Sequence, residues 1–240
     1  MKKMLTIVAC GRNTELEQLN ELSDVELIYT ERGEEDLPEA IKQAKGKYTV
    51  ILPAYCEISD IKSLLSAVNE NNEDVISFGL NCAFKTALFK GLNFKENNSV
   101  FLMRIFAAME AKSLIKMQYA PFKCLLTEEI FDERTQAEII IAEEQFVKVK
   151  AKLQKEVYNY IFDMLVDKLV VFYMCALLKI RQGEYEREKL IEFDNRLKGE
   201  IVLYLALKKR FTVCDLQKIR DNNFKISFFT AKKLKKQITK

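Results

Sequence analysis

The chain has 240 residues, of which 49% are hydrophobic and 30% are charged. This ordinary globular balance excludes a wholly disordered chain and a collagen-like one. The sequence contains no histidine, which excludes Ser-His-Asp and Cys-His hydrolases, HExxH proteases and zinc fingers with histidine ligands, because all of these depend on an imidazole. With only 7 Gly and 3 Pro, the chain is predicted to form long regular elements rather than a barrel or sandwich with many tight turns.

The cysteines predict a reducing compartment. No two of the six lie within CxxC spacing, which excludes zinc ribbons and thioredoxin-like motifs. Most lie inside apolar runs, so we expect free, buried, reduced thiols and a cytoplasmic protein. The first apolar run is only about six residues long, shorter than the core of a signal peptide, and favours a first strand. The cysteines are Cys10, Cys56, Cys82, Cys124, Cys175 and Cys214.

The net charge of +3 is unevenly distributed. The segment from Lys225 to Lys240 holds six lysines and no acidic residue, so the rest of the chain carries a net charge of −3. A solvated tail is one interpretation. The other is that Lys232–Lys240 places the protein peripherally at the inner face of a membrane by attraction to anionic lipid. We expect no nucleic-acid partner, because no aromatic residues alternate with these lysines.

The first eighty residues alternate between strand and helix patterns. Leucine and isoleucine stripes predict the helices, with Pro38 near the start of the second and Gly46 as its C-terminal cap. This order implies right-handed crossovers and a mostly parallel sheet. Ligands bind beyond the carboxyl ends of the strands in such a sheet. The predicted strands are Leu5–Ala9, Val25–Tyr29, Tyr48–Leu52 and Asp74–Phe78.

The rest of the chain is predicted to be mainly helical. A loop-rich middle with one helix at Leu102–Lys116 precedes it. The apolar stretch Tyr158–Ile180 carries Asp163, Asp167 and Lys168. Each of these charged side chains would cost about 2.5–3.5 kcal/mol at a bilayer centre. We therefore expect a buried or partner-facing helix and not a transmembrane helix. Such helices suit a homo- or hetero-oligomer. We predict domains at residues 1–145 and 146–240, with later helices at Ala151–Arg181, Glu184–Lys198, Glu200–Lys209 and after Thr212–Asp215.

Four segments in the first third carry a resemblance to a known family. They are LTIVACGRN, VELIYTERG, AIKQAKGKYTVIL with its A-x-G-x-Y pattern, and EISDIKSLLSAVNENNEDVISFG. In order, spacing and local type, they resemble the nucleotide-binding half of inverting family 2 glycosyltransferases. The resemblance implies an α/β fold of the GT-A-like, Rossmann-like type, with a mostly parallel sheet flanked by helices and a mainly helical C-terminal half.

The resemblance also implies a function. Such a protein transfers a sugar from a nucleotide-sugar donor to a cell-envelope or surface glycan, or to a lipid-linked acceptor. The donor would meet Arg12 and Asn13 after the first strand and Glu31 and Arg32 after the second, where Glu31 suits a ribose hydroxyl and the arginines suit a diphosphate. Glu128 or Glu129 would be the base that deprotonates the acceptor. The Lys-, Asn-, Glu- and Ile-rich composition is typical of low-GC bacteria.

One departure from the family pattern divides the hypotheses. The family holds Mg²⁺ or Mn²⁺ with an Asp-x-Asp motif after the third strand, but here those positions are Pro53 and Tyr55, followed by Cys56, with Glu57 as the nearest acid. The usual carboxylate ligands are therefore missing. One hypothesis is a metal-independent or inactive transferase in which Tyr55 and Glu57 still contact the donor. The other is a pseudoenzyme, a non-catalytic GT-A-like binding or scaffold protein that partners an active transferase.

Overall fold

The computed structural model describes residues 3–11, 14–79, 81–92, 99–124, 133–213 and 216–238. The chain divides into two compact units. The first comprises Met1–Cys124 with Glu144–Ile161, and the second comprises Leu125–Glu143 with Phe162–Lys240. The chain therefore passes between the units more than once, whereas the boundary at residue 145 stays a prediction.

The first unit is built on a mixed, mostly parallel sheet. Within the described residues, six strands pair in the order β2-β1-β3-β6-β5-β7. β6 runs antiparallel to both its neighbours, and the other pairs are parallel. The α/β fold class predicted from the alternating pattern is confirmed. The strands of this sheet are β1 (Leu5–Cys10), β2 (Val25–Thr30), β3 (Tyr48–Leu52), β5 (Val75–Phe78), β6 (Asn81–Lys85) and β7 (Leu114–Lys116), and a separate two-stranded ribbon pairs β4 (Cys56–Ile58) with β8 (Phe122–Cys124).

The middle of the chain holds more strand than predicted. The helix expected at Leu102–Lys116 ends at Met109, and Leu114–Lys116 instead pairs with β5 as strand β7. β6 was missed because its sequence NCAFK is short and polar at both ends. The helices before residue 125 are α1 (Thr14–Glu17), α2 (Leu37–Gln43), α3 (Ile61–Glu70), α4 (Thr86–Lys90) and α5 (Val100–Met109).

The core of the first unit lies around the two central strands. β1 and β3 are buried along their whole length, as expected for strands covered on both faces. The side chain of Tyr48 is fully buried, and its hydroxyl proton is shared between the carbonyls of Glu73 at 2.8 Å and Asn71 at 3.2 Å. Burial raises the pKa of Tyr48 to about 12, with the charges of Glu73 and Asp74 adding to the effect. Tyr48 is therefore a neutral hydrogen-bond donor that stabilises the connection between α3 and β5.

Gly46 is not a helix cap. Helix α2 ends at Gln43 with Ala44 as its C-cap residue, and Gly46 lacks the positive φ of a cap glycine. A Cβ at Gly46 would lie 2.5 Å from the backbone N of Thr6. The glycine in the A-x-G-x-Y pattern is thus required by close backbone approach to β1.

The prediction of free thiols is wrong for Cys56. Cys10, Cys82 and Cys175 carry buried thiols that form no disulfide, as expected. Cys56, however, is disulfide-bonded. It begins strand β4, where its Cα faces that of Cys124 across the antiparallel ribbon. No CxxC spacing signals this bond, because no other cysteine lies close to Cys56 in the chain.

The second unit is helical, as predicted. Among its buried side chains, the Tyr173 hydroxyl donates to Asp194 at 2.7 Å, and the Arg220 guanidinium forms an ion pair with the same carboxylate. The Arg220 guanidinium also lies 4.1 Å from the centroid of the Tyr204 ring. No described helix is long and apolar enough to cross a membrane. Helices α6 (Glu133–Val149) and α7 (Lys155–Gln182) contribute to both units, and α8 (Arg187–Leu197), α9 (Ile201–Val213), α10 (Leu216–Asp221) and α11 (Phe228–Ile238) belong to the second.

Candidate functional site

The carboxyl ends of three parallel strands meet at one edge of the sheet. In the strand register Cys10 lies opposite Thr30, and Ala9 lies opposite Leu52, so β1 ends level with β2 on one side and with β3 on the other. The chain leaves β1 to form β2 and then returns to form β3 on the opposite side. Such a reversal of strand order is where open α/β sheets bind ligands.

The last residue of β1, Cys10, has a buried thiol. Cys10 is 6% exposed, and Gly11 turns the chain away with a φ of +95°. Burial raises the pKa of Cys10 to about 12; the charge of Glu34 adds to the rise, and that of Arg104 opposes it. The thiol is therefore protonated at neutral pH and is not a nucleophile. The predicted donor contacts Arg12 and Asn13 lie outside the described residues.

The end of β2 presents charged side chains to solvent. Glu31 and Arg32 directly follow Thr30, and both are exposed. The Arg32 guanidinium donates to Asp36 at 2.9 Å from Nε and 2.6 Å from its terminal nitrogen, and the Arg32 backbone N–H adds a bond of 2.9 Å. These hydrogen bonds lower the pKa of Asp36. Contact between Arg32 and a diphosphate would require this exposed ion pair to open, so its role stays a prediction.

The segment after β3 does not offer the ligands that a divalent cation needs. Pro53 is buried, Tyr55 packs against the core, and Cys56 has its sulfur in a disulfide. Glu57 is exposed in β4, opposite Lys123 in the ribbon. No group of three or more His, Cys, Asp or Glu residues that could hold a metal occurs in the described part of the chain. Mg²⁺ and Mn²⁺ prefer several hard oxygen ligands, and these four residues supply one carboxylate.

Arg104, a buried cation beside the strand ends, was not predicted as a site residue from the sequence. It projects from α5, is 6% exposed, and donates to the carbonyl of Ile51 in β3 at 2.5 Å and to the side-chain oxygen of Asn81 at 2.7 Å. A signal was available, because an arginine inside the apolar run VFLMRIFAAM is unusual unless it has buried acceptors. Arg104 therefore fixes α5 to β3 and leaves a positive charge near the end of that strand.

The predicted residues form two groups along this edge. Glu31 and Arg32 follow β2, and Tyr55 and Glu57 follow β3, with β1 between the two strands. Two strand spacings separate their starting points by about 10 Å, a span that a nucleotide can cover. The predicted bases Glu128 and Glu129 lie outside the described residues and stay predictions.

No protein-family model matches the chain, and no curated protein matches it. Among solved structures, it is similar to residues 1–349 of S. aureus TarS, with 11% identity, a TM-score of 0.49, and coverage of 98% of this chain and 90% of that one. For the same protein in complex with UDP-GlcNAc, the identity is 12%, the TM-score 0.46, and the coverage 98% and 91%. Both TM-scores lie below 0.5, so neither likeness supports an inference about this chain.

Proposed function

We propose that the first unit is a nucleotide-sugar site and that the chain is a glycosyltransferase-like protein. The observation that carries the proposal is the level ending of β1, β2 and β3 at the reversal of strand order, with the Arg104 cation beside it. A fixed positive charge near strand ends favours an anionic ligand such as a diphosphate. The exposed Glu31 carboxylate follows Thr30, which lies opposite Cys10, and it suits a ribose hydroxyl or a base N–H.

The proposed reaction is an inverting displacement. Glu128 or Glu129 accepts the proton of an acceptor hydroxyl, the hydroxyl oxygen forms a bond to the anomeric carbon, and the bond from that carbon to the nucleotide diphosphate breaks. The developing charge on the diphosphate would be met by Arg12, and by Arg32 once its pairing with Asp36 opens. The acceptor would be a glycan or lipid-linked sugar of the cell envelope.

A non-catalytic binding protein is the second candidate, and the segment after β3 favours it. Pro53 is buried and Tyr55 is packed against the core, so the positions that hold the metal in the resembled family serve packing here. Such a protein would keep the nucleotide site and act as the partner of an active transferase.

Titration calorimetry of the full chain with UDP, with and without Mn²⁺, tests the site. We expect metal-independent binding that Glu31→Ala weakens about tenfold, since a hydrogen bond to a charged group contributes roughly 1.5–3 kcal/mol. Glu39→Ala is the matched control, because Glu39 is an exposed carboxylate on α2 and should leave the affinity unchanged. Absence of UDP binding, or equal effects of both variants, would contradict the proposed site.

Turnover separates the two candidate functions. For the enzyme, Glu128→Gln or Glu129→Gln keeps UDP affinity but abolishes release of UDP from a nucleotide-sugar in the presence of acceptor. For the binding protein, UDP binds but no release occurs in the unmodified chain with any acceptor tested.

A further inference from the structure

The last two helices of the second unit enclose a groove with a basic lining. It has a volume of about 680 Å³ and lies between α10 and α11. Lys218, Lys225 and Lys233 line it, together with the ring of Phe229. Asp221 is the only acidic residue from Leu216 to the end of the chain, against seven lysines and one arginine. The groove therefore suits an anionic partner.

Two aromatic rings project into solvent at the N-terminus of α11. Phe228 is 63% exposed and Phe229 is 82% exposed, with ring centroids 6.0 Å apart. The opposite side of the helix is anchored by Leu234, which is 2% exposed. Leaving two adjacent phenylalanines in water is unfavourable unless an apolar partner covers them.

The lysines of α11 continue the same surface. Lys232 and Lys236 follow Phe228 at intervals of four residues and are exposed, so they share one stripe of the helix. We propose that this stripe and the groove form a docking surface for an anionic phospholipid membrane, with the rings entering the acyl boundary and the lysines contacting the headgroups. Paired aromatic anchors with adjoining lysines are typical of interfacial helices.

A membrane fits these observations better than a nucleic acid does. The one arginine of the segment, Arg220, is buried against Asp194 and does not reach the groove surface. The exposed cations are lysines, which act as point charges rather than as forks for phosphate. The two rings stand together at one end instead of alternating with the cations as in a stacking channel for bases. This inference does not depend on the nucleotide-sugar site.

Vesicle flotation of the full chain tests the surface. We expect co-flotation with mixed phosphatidylcholine and phosphatidylglycerol vesicles, no flotation with phosphatidylcholine alone, and weaker binding at high salt. Phe228→Ala with Phe229→Ala should lower partitioning at least about tenfold. Lys218→Gln with Lys225→Gln should lower it roughly 25-fold, at about fivefold for each lysine near an anionic surface.

Matched variants control for charge and for general stickiness. Lys45→Gln with Lys62→Gln makes the same change in net charge on exposed residues of the first unit, and Ile201→Ala with Val202→Ala removes apolar side chains that are 67% and 61% exposed. Flotation of both control variants should be within about twofold of that of the unmodified chain. Circular dichroism should show that every variant is folded. Equal binding to the two vesicle types, no binding to either, or equal losses in the control variants would overturn the proposal. Binding to single-stranded DNA without vesicle binding would overturn it in favour of a nucleic acid.

Discussion

Gly46 shows how the A-x-G-x-Y pattern stabilises the fold of the first unit. The Gly46 N–H donates to the hydroxyl of Thr6 at 2.9 Å, and its carbonyl accepts from Thr86 at 2.6 Å. The Thr6 hydroxyl in turn donates to Glu26 at 2.6 Å. Gly46 thus joins β1, the start of α4 and β2 in one hydrogen-bonded network. The glycine of the A-x-G-x-Y pattern is thus explained by packing.

Gly46→Ala should destabilise the protein by about 1–3 kcal/mol, because the added methyl group meets backbone that cannot yield. Urea unfolding measures the change. Gly91→Ala is the control, since a Cβ there meets nothing within 4 Å, and it should be nearly neutral. Equal effects of the two substitutions would show that the contact with β1 is not tight.

Asp74 makes stability depend on pH. Burial acts to raise the pKa of this carboxyl, but the backbone N–H of Lys112 at 2.8 Å and the ammonium of Lys85 at 3.0 Å outweigh it, and the pKa is lowered from 3.8. A lowered folded-state pKa contributes stability that is present above the unfolded-state value and is lost as the pH falls through the folded-state value.

Asp74→Asn should therefore cost about 1–2 kcal/mol at neutral pH, and the difference from the unmodified chain should shrink as the pH falls below about 4. Thermal unfolding across this range measures it. Glu39→Gln, at an exposed surface pair, should change stability by less than about 0.5 kcal/mol. A difference that stays constant down to acid pH would refute the role of the Asp74 charge.

At the scale of elements, the segment that follows β3 differs most from expectation. Its first residues pack against the core and it then forms the β4–β8 ribbon. The crosslink at Cys56 and the hydrogen bond from Arg104 to Ile51 restrain the same short stretch of chain. A donor site at this edge is therefore held by rigid elements, which favours precise positioning of a ligand.

The disulfide at Cys56 can be tested by counting the reactive thiols. A bond at Cys56 removes two thiols, so an oxidised preparation unfolded without reductant should react with a thiol reagent at no more than four of its six cysteines. The same preparation should react at all six after reduction. Peptide mapping would identify the residue crosslinked to Cys56. Labelling of six thiols before reduction would contradict the bond.

At the scale of the whole molecule, the two units have separate buried networks. Asp194, Tyr173 and Arg220 are linked in the second unit, and Tyr160 contacts Cys82 at 2.8 Å in the first. Residues 144–161 belong to the first unit although they follow a segment of the second. The division into units and the proposed boundary at residue 145 therefore assign residues 146–161 differently.

Hydrogen exchange of the full chain distinguishes these assignments. Asp194→Ala should cost about 3–5 kcal/mol by leaving Arg220 buried without its carboxylate, and should speed exchange in α8 and α10. Peptides covering residues 146–161 should keep their protection if they belong with the first unit. Faster exchange there, with β1 to β3 unaffected, would support the boundary at residue 145. Uniformly faster exchange would mean that the chain unfolds as one cooperative unit.

Elements whose signals are local could be predicted from the amino-acid sequence. Apolar runs and helical spacing predicted β1, β2, β3, α2 and α3 nearly to their ends, because strand and helix preferences depend on neighbouring residues. The same local patterns predicted the parallel arrangement and hence the edge of the sheet where a ligand would bind. They also predicted a helical second half without a membrane span.

Features that join residues far apart in the chain depend on how the elements pack. The insertion of β6 between β3 and β5, the pairing of β7 with β5, and the disulfide at Cys56 link segments that share no local pattern. Arg104 became part of the candidate site because its acceptors, Ile51 and Asn81, lie 53 and 23 residues away. A buried charge is stable only where such acceptors converge, and their convergence depends on how the elements pack rather than on any one segment.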